Sequence, residues 1–327
     1  MKLKLFYVAF LILISIITGC KKSSNPVDNL PILPTLNDSI PYKSLGQGKI
    51  VFERIGPLSN NYDGGYVIDI NNHKSWGVLN GVFDGPSISP NGKYISFSTS
   101  TPYPAKTYFD IYTINIDGSN FVQMTSLTDQ DNCPSWSSDG DIYFQSGYFN
   151  LYKTSFPSHY TAPVFTLGFT AVFMRSRTSH ALDGRIIFSV TNKILVWQGN
   201  LNTLKSNSIK GIEYWSPAYN PQGDKIAYIE ATHDTLNWNY TKIKVIKMNS
   251  DGNNSIILAE LNMNARANWS GSNNISLCWS PDGTKIAFNK PEYDYCSHIY
   301  VINSDGTNLI QVTKAEGVTD RSVSWGN

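Results

Sequence analysis

Ile88-Ser-Pro-Asn-Gly-Lys-Tyr-Ile-Ser-Phe97 decides the fold, because the chain repeats it. Tyr219-Asn-Pro-Gln-Gly-Asp-Lys-Ile-Ala-Tyr228 and Trp279-Ser-Pro-Asp-Gly-Thr-Lys-Ile-Ala-Phe288 share the frame. Each has an aromatic or apolar residue, Ser or Asn, Pro, any residue, Gly, and then an alternating strand. Trp136-Ser-Ser-Asp-Gly-Asp-Ile-Tyr-Phe144 and His180-Ala-Leu-Asp-Gly-Arg-Ile-Ile-Phe188 are one residue shorter. Proline presets φ at the second turn position, Asp or Asn suits the third, and Gly accepts the left-handed exit. Period-two alternation on both sides makes each copy a β-hairpin. A second hairpin follows, with Asp-Gly between alternating strands in Ile111–Asn120, Val245–Asn254 and Ile299–Asn308. Two hairpins per unit predict a four-stranded antiparallel blade, and their repetition predicts a β-propeller.

The first-hairpin glycines Gly92, Gly140, Gly184, Gly223 and Gly283 mark five blades. A sixth is split. Ser322-Val-Ser-Trp-Gly-Asn327 supplies a first strand and the start of its turn, and Gly48-Lys-Ile-Val-Phe52 supplies the continuation. The expectation is an all-β, six-bladed propeller over 45–327, closed by pairing the C-terminal strand into the first blade. Ser322 to Trp325 should lie beside Lys49 to Arg54, leaving no open sheet edge.

These motifs resemble the TolB-like propeller repeat, which is a relative of the WD-type repeats and is common in bacterial envelope proteins. The resemblance covers nearly all of the body and is closest in blades 2, 5 and 6. In TolB itself an α/β domain precedes the propeller. Only a tether of about 25 residues is expected here, so TolB's role in the Tol–Pal system is not carried over.

The N-terminus supplies an address. Lys2 and Lys4 precede an apolar run, Leu5 to Ile17, broken only by Ser15. The run suits a signal-peptide core and is shorter than the ~20 residues a spanning helix needs. Ile17-Thr18-Gly19-Cys20 resembles the lipobox of bacterial lipoproteins, which implies a lipidated Cys20. The expected division is a signal peptide at 1–19, a lipidated cysteine and flexible tether at 20–44, and the propeller beyond. The predicted location is the bacterial cell envelope, lipid-anchored at the outer membrane. More than one acyl chain would make the anchor stable.

Loss of Lys2 and Lys4 takes the net charge from +1 to −1. Near-neutrality argues against nucleic acid, which needs a basic patch. Cys133, Cys278 and Cys296 remain beside Cys20 and read as small buried hydrophobes, with no zinc-type spacing. A Cys278–Cys296 disulfide is not expected, since two intervening strand spacings of ~4.8 Å exceed bridging distance. The Asn-x-Asp-Gly-x-Asn turns lack the calcium-loop ligand series. Neither a metal nor a cofactor is expected.

Function is expected on the face opposite the Pro-x-Gly turns. Tyr103, Tyr108, Trp238, Tyr240, Tyr293 and Tyr295 fall on predicted loops there. Exposed aromatics on a rigid scaffold suit recognition of a protein or a sugar; local packing is the competing explanation. Asp131, Arg175, Arg177 and Asp320, with Asp84, Arg266 and Arg321, fall near the channel mouth, where they grip a polar ligand or bridge blades. His180 replaces Trp on an innermost strand, and a buried, hydrogen-bonded ring is preferred over a base or ligand. No nucleophile elbow is present. The reading is a non-enzymatic scaffold for an envelope protein or peptide. The alternatives are a glycan-binding lipoprotein and a polysaccharide lyase or hydrolase using channel-mouth residues.

Overall fold

The computed structural model describes residues 33, 35–56, 63–100, 108–147, 150–167, 177–236, 239–266, 275–293 and 296–327. The expected signal peptide, Cys20 and most of the expected tether lie outside the described residues.

The chain folds as a propeller of four-stranded antiparallel blades. The second blade runs Asp84–Ile88, Tyr94–Thr99, Asp110–Asn115 and Val122–Gln123 from inside to outside. Three more separate four-stranded sheets begin with the inner strands Asp131–Trp136, Ser179–His180 and Ile212–Tyr219. The strands of the expected sixth and first blades instead form one eight-stranded sheet. The expectation of six separate blades is therefore met only in part. The join is a single parallel pair, Ser297 with Thr319, reinforced by Ser297 Oγ donating to the Asp320 carbonyl at 2.8 Å.

Thr319–Gly326 pairs antiparallel with Lys49–Ile55, with Ile50 opposite Trp325 and Arg54 opposite Asp320. The inner strands contact one another in cyclic order, from Thr319–Gly326 through Asp84–Ile88 and Leu277–Trp279 back to Thr319–Gly326. The edge that the first blade would expose is thus paired.

The repeat frame explains the packing. Phe52, Phe97, Phe144, Phe188, Tyr228 and Phe288 occupy one position of the second strands, and all are fully buried. Four of them face an aromatic across the next strand pair: Tyr66, Tyr112, Tyr152 and Tyr300, at 5.9–6.4 Å between ring centres. Cross-strand pairs of this kind stabilise a sheet. The turns form as the residue types require. Gly92, Gly140, Gly184, Gly223 and Gly283 all adopt positive φ. In the last, the Ser280 hydroxyl donates to Asp282 and accepts the Lys285 amide, while Gly283 N–H donates to the Ser280 carbonyl.

The tether boundary needs correction. Leu33 is buried, and Leu36, Ile40 and Tyr42 pack on the core around Ile50, Phe52 and Trp325. A Cβ on Gly77 would stand 2.1 Å from Leu33 Cβ, so glycine makes room for this strap. Asp38 pairs with Arg54 and accepts the Lys314 and Ala315 amides. Alternation is a poor detector of such a segment, because its apolar residues insert singly.

Candidate functional site: the two ends of the channel

The inner strands run between two faces, and their ends differ. At the end where they begin, acidic and basic groups are paired or buried. Arg54 donates to both oxygens of Asp320, at 2.6 and 2.9 Å, and to Asp38 at 2.9 Å. Both Asp320 and Asp38 side chains are fully buried. Arg54 holds Asp320 below the usual carboxylate range although burial alone would raise it. His298 Nδ1 stands 3.9 Å from Asp320, and its Nε2 stands 3.6 Å from Cys296 Sγ. Burial opposes charge on His298, but these partners outweigh it and push the pKa up to about 9. Arg321 donates to Glu53 at 2.7 Å and lies 3.9 Å from Asp84. Burial pushes Glu53 up to about 7, with Arg321 opposing. Asp131 is fully buried, accepts the Thr125 hydroxyl at 2.6 Å, and is pushed up to about 6 by burial.

These positions correct the sequence reading. Asp131 and Asp320 do not stand free at a mouth, because each is sequestered within the inner-strand wall. Tyr240 lies in the strand Asn239–Asn249, not in a loop, and its buried hydroxyl donates to Glu213. The strands Lys225–His233 and Asn239–Asn249 run longer than expected and absorb it. Tyr108 is exposed on that face. Tyr293 ends the strand Lys285–Tyr293. Tyr103, Trp238, Tyr295 and Arg175 lie outside the described residues.

The opposite end, at the Pro-x-Gly turns, opens as a cavity of about 450 Å³. Sequence reasoning had set this face aside. Its walls are the last residues of the inner strands and their turns, from Ser87–Pro90, Ser135–Ser138, Arg177–His180, Ser216–Pro221, Leu277–Pro281 and Ser324–Asn327. Small side chains recur just before the aromatic position: Ser87, Ser135, Ser179, Ala218, Cys278 and Ser324. Three of them latch neighbouring blades. Ser324 Oγ accepts the Ile88 amide at 3.1 Å, Ser87 Oγ the Trp136 amide at 3.4 Å, and Ser179 Oγ the Tyr219 amide at 3.0 Å. The Trp136 and Trp279 indoles donate to the carbonyls of Ser87 and Ala218. Comparing the residue that precedes each aromatic would have found this ring.

Arg177 is the one formally charged side chain among the described lining residues. Nη1 donates to the Pro86 carbonyl at 2.7 Å and Nη2 to that of Val323. These acceptors sit on two other inner strands, so the side chain crosses the channel. The sequence reading placed Arg177 at the other mouth; its reach into the turn-side cavity replaces that. Beside it, His180 Nε2 lies within hydrogen-bond distance of Thr178 and Ser135, at 3.0 and 3.1 Å. Burial pulls His180 down to about 4, so the ring is neutral at pH 7. Burial also pushes the Cys133 and Cys278 thiols up to about 12, far from nucleophilic thiolates. The three cysteines among the described residues are free, and no metal-ligating cluster occurs among those residues.

A closed ring of antiparallel blades around a polar channel defines a β-propeller with its cavity at the turn face. The chain carries a TolB-like β-propeller. It is 28% identical over 216 residues to the Tol-Pal system protein TolB of Francisella tularensis, covering 62% of this chain and 48% of that one. The chain thus spans about half the length of this curated relative. The crystal structure of TolB from Acinetobacter baumannii matches with a TM-score of 0.67 at 18% identity, over 85% of this chain and 66% of that one. Kuenenia stuttgartiensis hydrazine synthase matches at 0.61 with 16% identity, over 87% and 47%. No family model matches the chain. The structural matches speak to fold alone, and a fold hosts many functions.

Proposed function

We propose that this chain is a lipid-anchored, non-enzymatic binding scaffold of the bacterial cell envelope. It takes a protein or peptide partner at the turn face of its propeller. The observation that carries the reading is the hydroxyl-lined cavity at that face, against the sequestered charges at the other. A pre-formed concave site with few convergent polar groups is the usual form of a recognition site. Its lining includes a neutral imidazole, one protonated thiol and one guanidinium, which supports binding over nucleophilic or acid–base chemistry. The eight-stranded sheet is read as two blades, giving six. The likeness to a Tol-Pal system protein supports an envelope address. The lipobox-like Ile17–Cys20 supports anchoring through Cys20 at the outer membrane.

Cell fractionation tests the anchor. Cys20→Ala should move the protein from the membrane to the soluble fraction, and unchanged membrane retention would refute it. Ser138→Arg, at an exposed position of the cavity rim, tests the face. Envelope proteins that co-purify with the full chain should be lost, and their retention would count against the turn face.

A further inference from the structure

We propose that Arg177 makes the turn-side cavity a receptor for a single carboxylate, the C-terminal carboxylate of a peptide that enters end-on. The proposal rests on the scaffold reading above and names what that cavity recognises.

Counting back from the turn glycines, the position of Arg177 is held on the other inner strands by Gly85, Cys133, Ser216, Ser276 and Ser322. At this level five small residues face one long cation, which crosses the channel. Two backbone carbonyls satisfy two of its five N–H donors. They do not neutralise its charge. A desolvated cation without a counter-ion is unfavourable, and an anion supplied by a ligand relieves that cost. No carboxylate among the described residues forms an ion pair with Arg177, and Asp84 acts on it only at longer range, whereas Arg54, Arg185 and Arg321 each have at least one paired carboxylate. A guanidinium fork matches a carboxylate's two oxygens. Among the other lining side chains, the neutral His180 and the protonated Cys278 add no further charge. One cation fits one monoanion.

Depth decides how the carboxylate arrives. Pro86 and Val323 lie three residues before the turn positions Ser89 and Gly326. Three strand residues span about 10 Å. An acidic side chain on a peptide lying across the rim is shorter than that. The backbone itself must enter, and of its two ends only the C-terminus is anionic. The exposed Ser138 hydroxyl at the mouth offers a donor and an acceptor to the entering amides.

The test uses the full chain in detergent and two probes, N-acetyl-trialanine with a free carboxylate and its C-terminal amide. Binding is read by calorimetry and by fluorescence of the lining residues Trp136, Trp279 and Trp325. The acid should bind about tenfold to a hundredfold tighter than the amide, as for a charge-assisted hydrogen bond. Arg177→Met should erase that preference, and Arg177→Lys, which keeps the charge without the fork, should retain part of it. Equal binding of acid and amide would overturn the proposal, as would a preference surviving in Arg177→Met. If Arg177→Met fails to fold, the acid–amide comparison on the unaltered chain still decides. Binding of neither probe up to about 10 mM overturns it, and so does tighter binding of trigalacturonate, which would assign the cavity to a glycan. Such failures leave the scaffold reading standing if Ser138→Arg still loses the co-purified proteins. Retention of those proteins would sink the scaffold reading itself.

Discussion

The two ends of this channel are built from the same strands and treat charge in opposite ways. Where the inner strands begin, Arg54, Asp320, Asp38, Arg321 and Glu53 satisfy one another within the wall. Toward the turns lies a hydroxyl-lined cavity, and about 10 Å below its rim a single guanidinium crosses the channel and donates to backbone carbonyls without a paired carboxylate. The first end spends its polar groups on closing the ring. The second keeps one unneutralised, beside open space. Internal pairing marks architecture, and charge left over in a cavity marks a place for something else to bind.

That contrast can be broken at several points. Deleting residues 322–327 should have the largest effect. It removes most of the strand paired with Lys49–Ile55 and opens the ring. The melting temperature should fall sharply, and an unchanged melting curve would refute the closure.

Asp320→Ala comes next. It leaves Arg54 buried with half its partners, at a cost of about 3–5 kcal/mol by the behaviour of broken buried pairs. Arg177→Met should cost less, about 1–3 kcal/mol, because two backbone carbonyls but no paired acid are stranded. Denaturant melts of the two variants would compare the ends directly. Equal losses would mean that Arg177 is a structural tie like Arg54.

A pH series gives a smaller, signed effect. Glu53 binds its proton more tightly in the fold, at about 7 against 4.5, so its contribution to stability declines as pH rises across that window. His298, raised from 6.5 to about 9, contributes fully below 6.5, and its contribution is lost as pH rises through 9. Asp320 is held low, so its share is lost only in acid, below its ordinary 3.8. His180, pulled from 6.5 to about 4, gains stability as pH rises through that window and opposes Glu53. Asp131, pushed from 3.8 to about 6, loses it. The denaturation midpoint should therefore drift down between pH 5 and 9, most steeply above 6.5. Glu53→Gln should flatten the lower part and His298→Gln the upper. A profile that rises over this range, or that neither variant alters, would contradict these placements.

The smallest effect belongs to the latches. Ser87→Ala removes the hydroxyl that accepts the Trp136 amide. It should cost about 1 kcal/mol, seen as a small shift in the denaturation midpoint. A loss several times larger would mean that the ring of small residues supports the fold more than the blade contacts do.

Much of this architecture was legible in the chain. The turn glycines, the Ile-x-Phe strands and the split unit at Trp325 and Lys49 are local signals, each fixed by turn sterics and side-chain alternation. The division of charge was not legible. Asp320 and Arg177 look alike as charges on inner strands, and only the strand register separates them. That register sets Arg54 against Asp320 and leaves Arg177 to meet carbonyls. Tyr240 misled for a related reason. Its segment reads as a polar loop, yet the hairpin continues through it and buries the ring beside Trp215. The strap at Leu33 to Tyr42 carries no period at all, and the gaps left by Gly77 and Gly64 betray the seat of Leu33.

The most direct test of the turn face as the recognition surface is photo-crosslinking in intact cells. A photoreactive residue is placed at Leu182, 71% exposed on the turn face, or at Tyr108, 50% exposed on the other. A discrete protein adduct from position 182, with none from 108, is the expected result. An adduct from 108 with none from 182 would contradict the account.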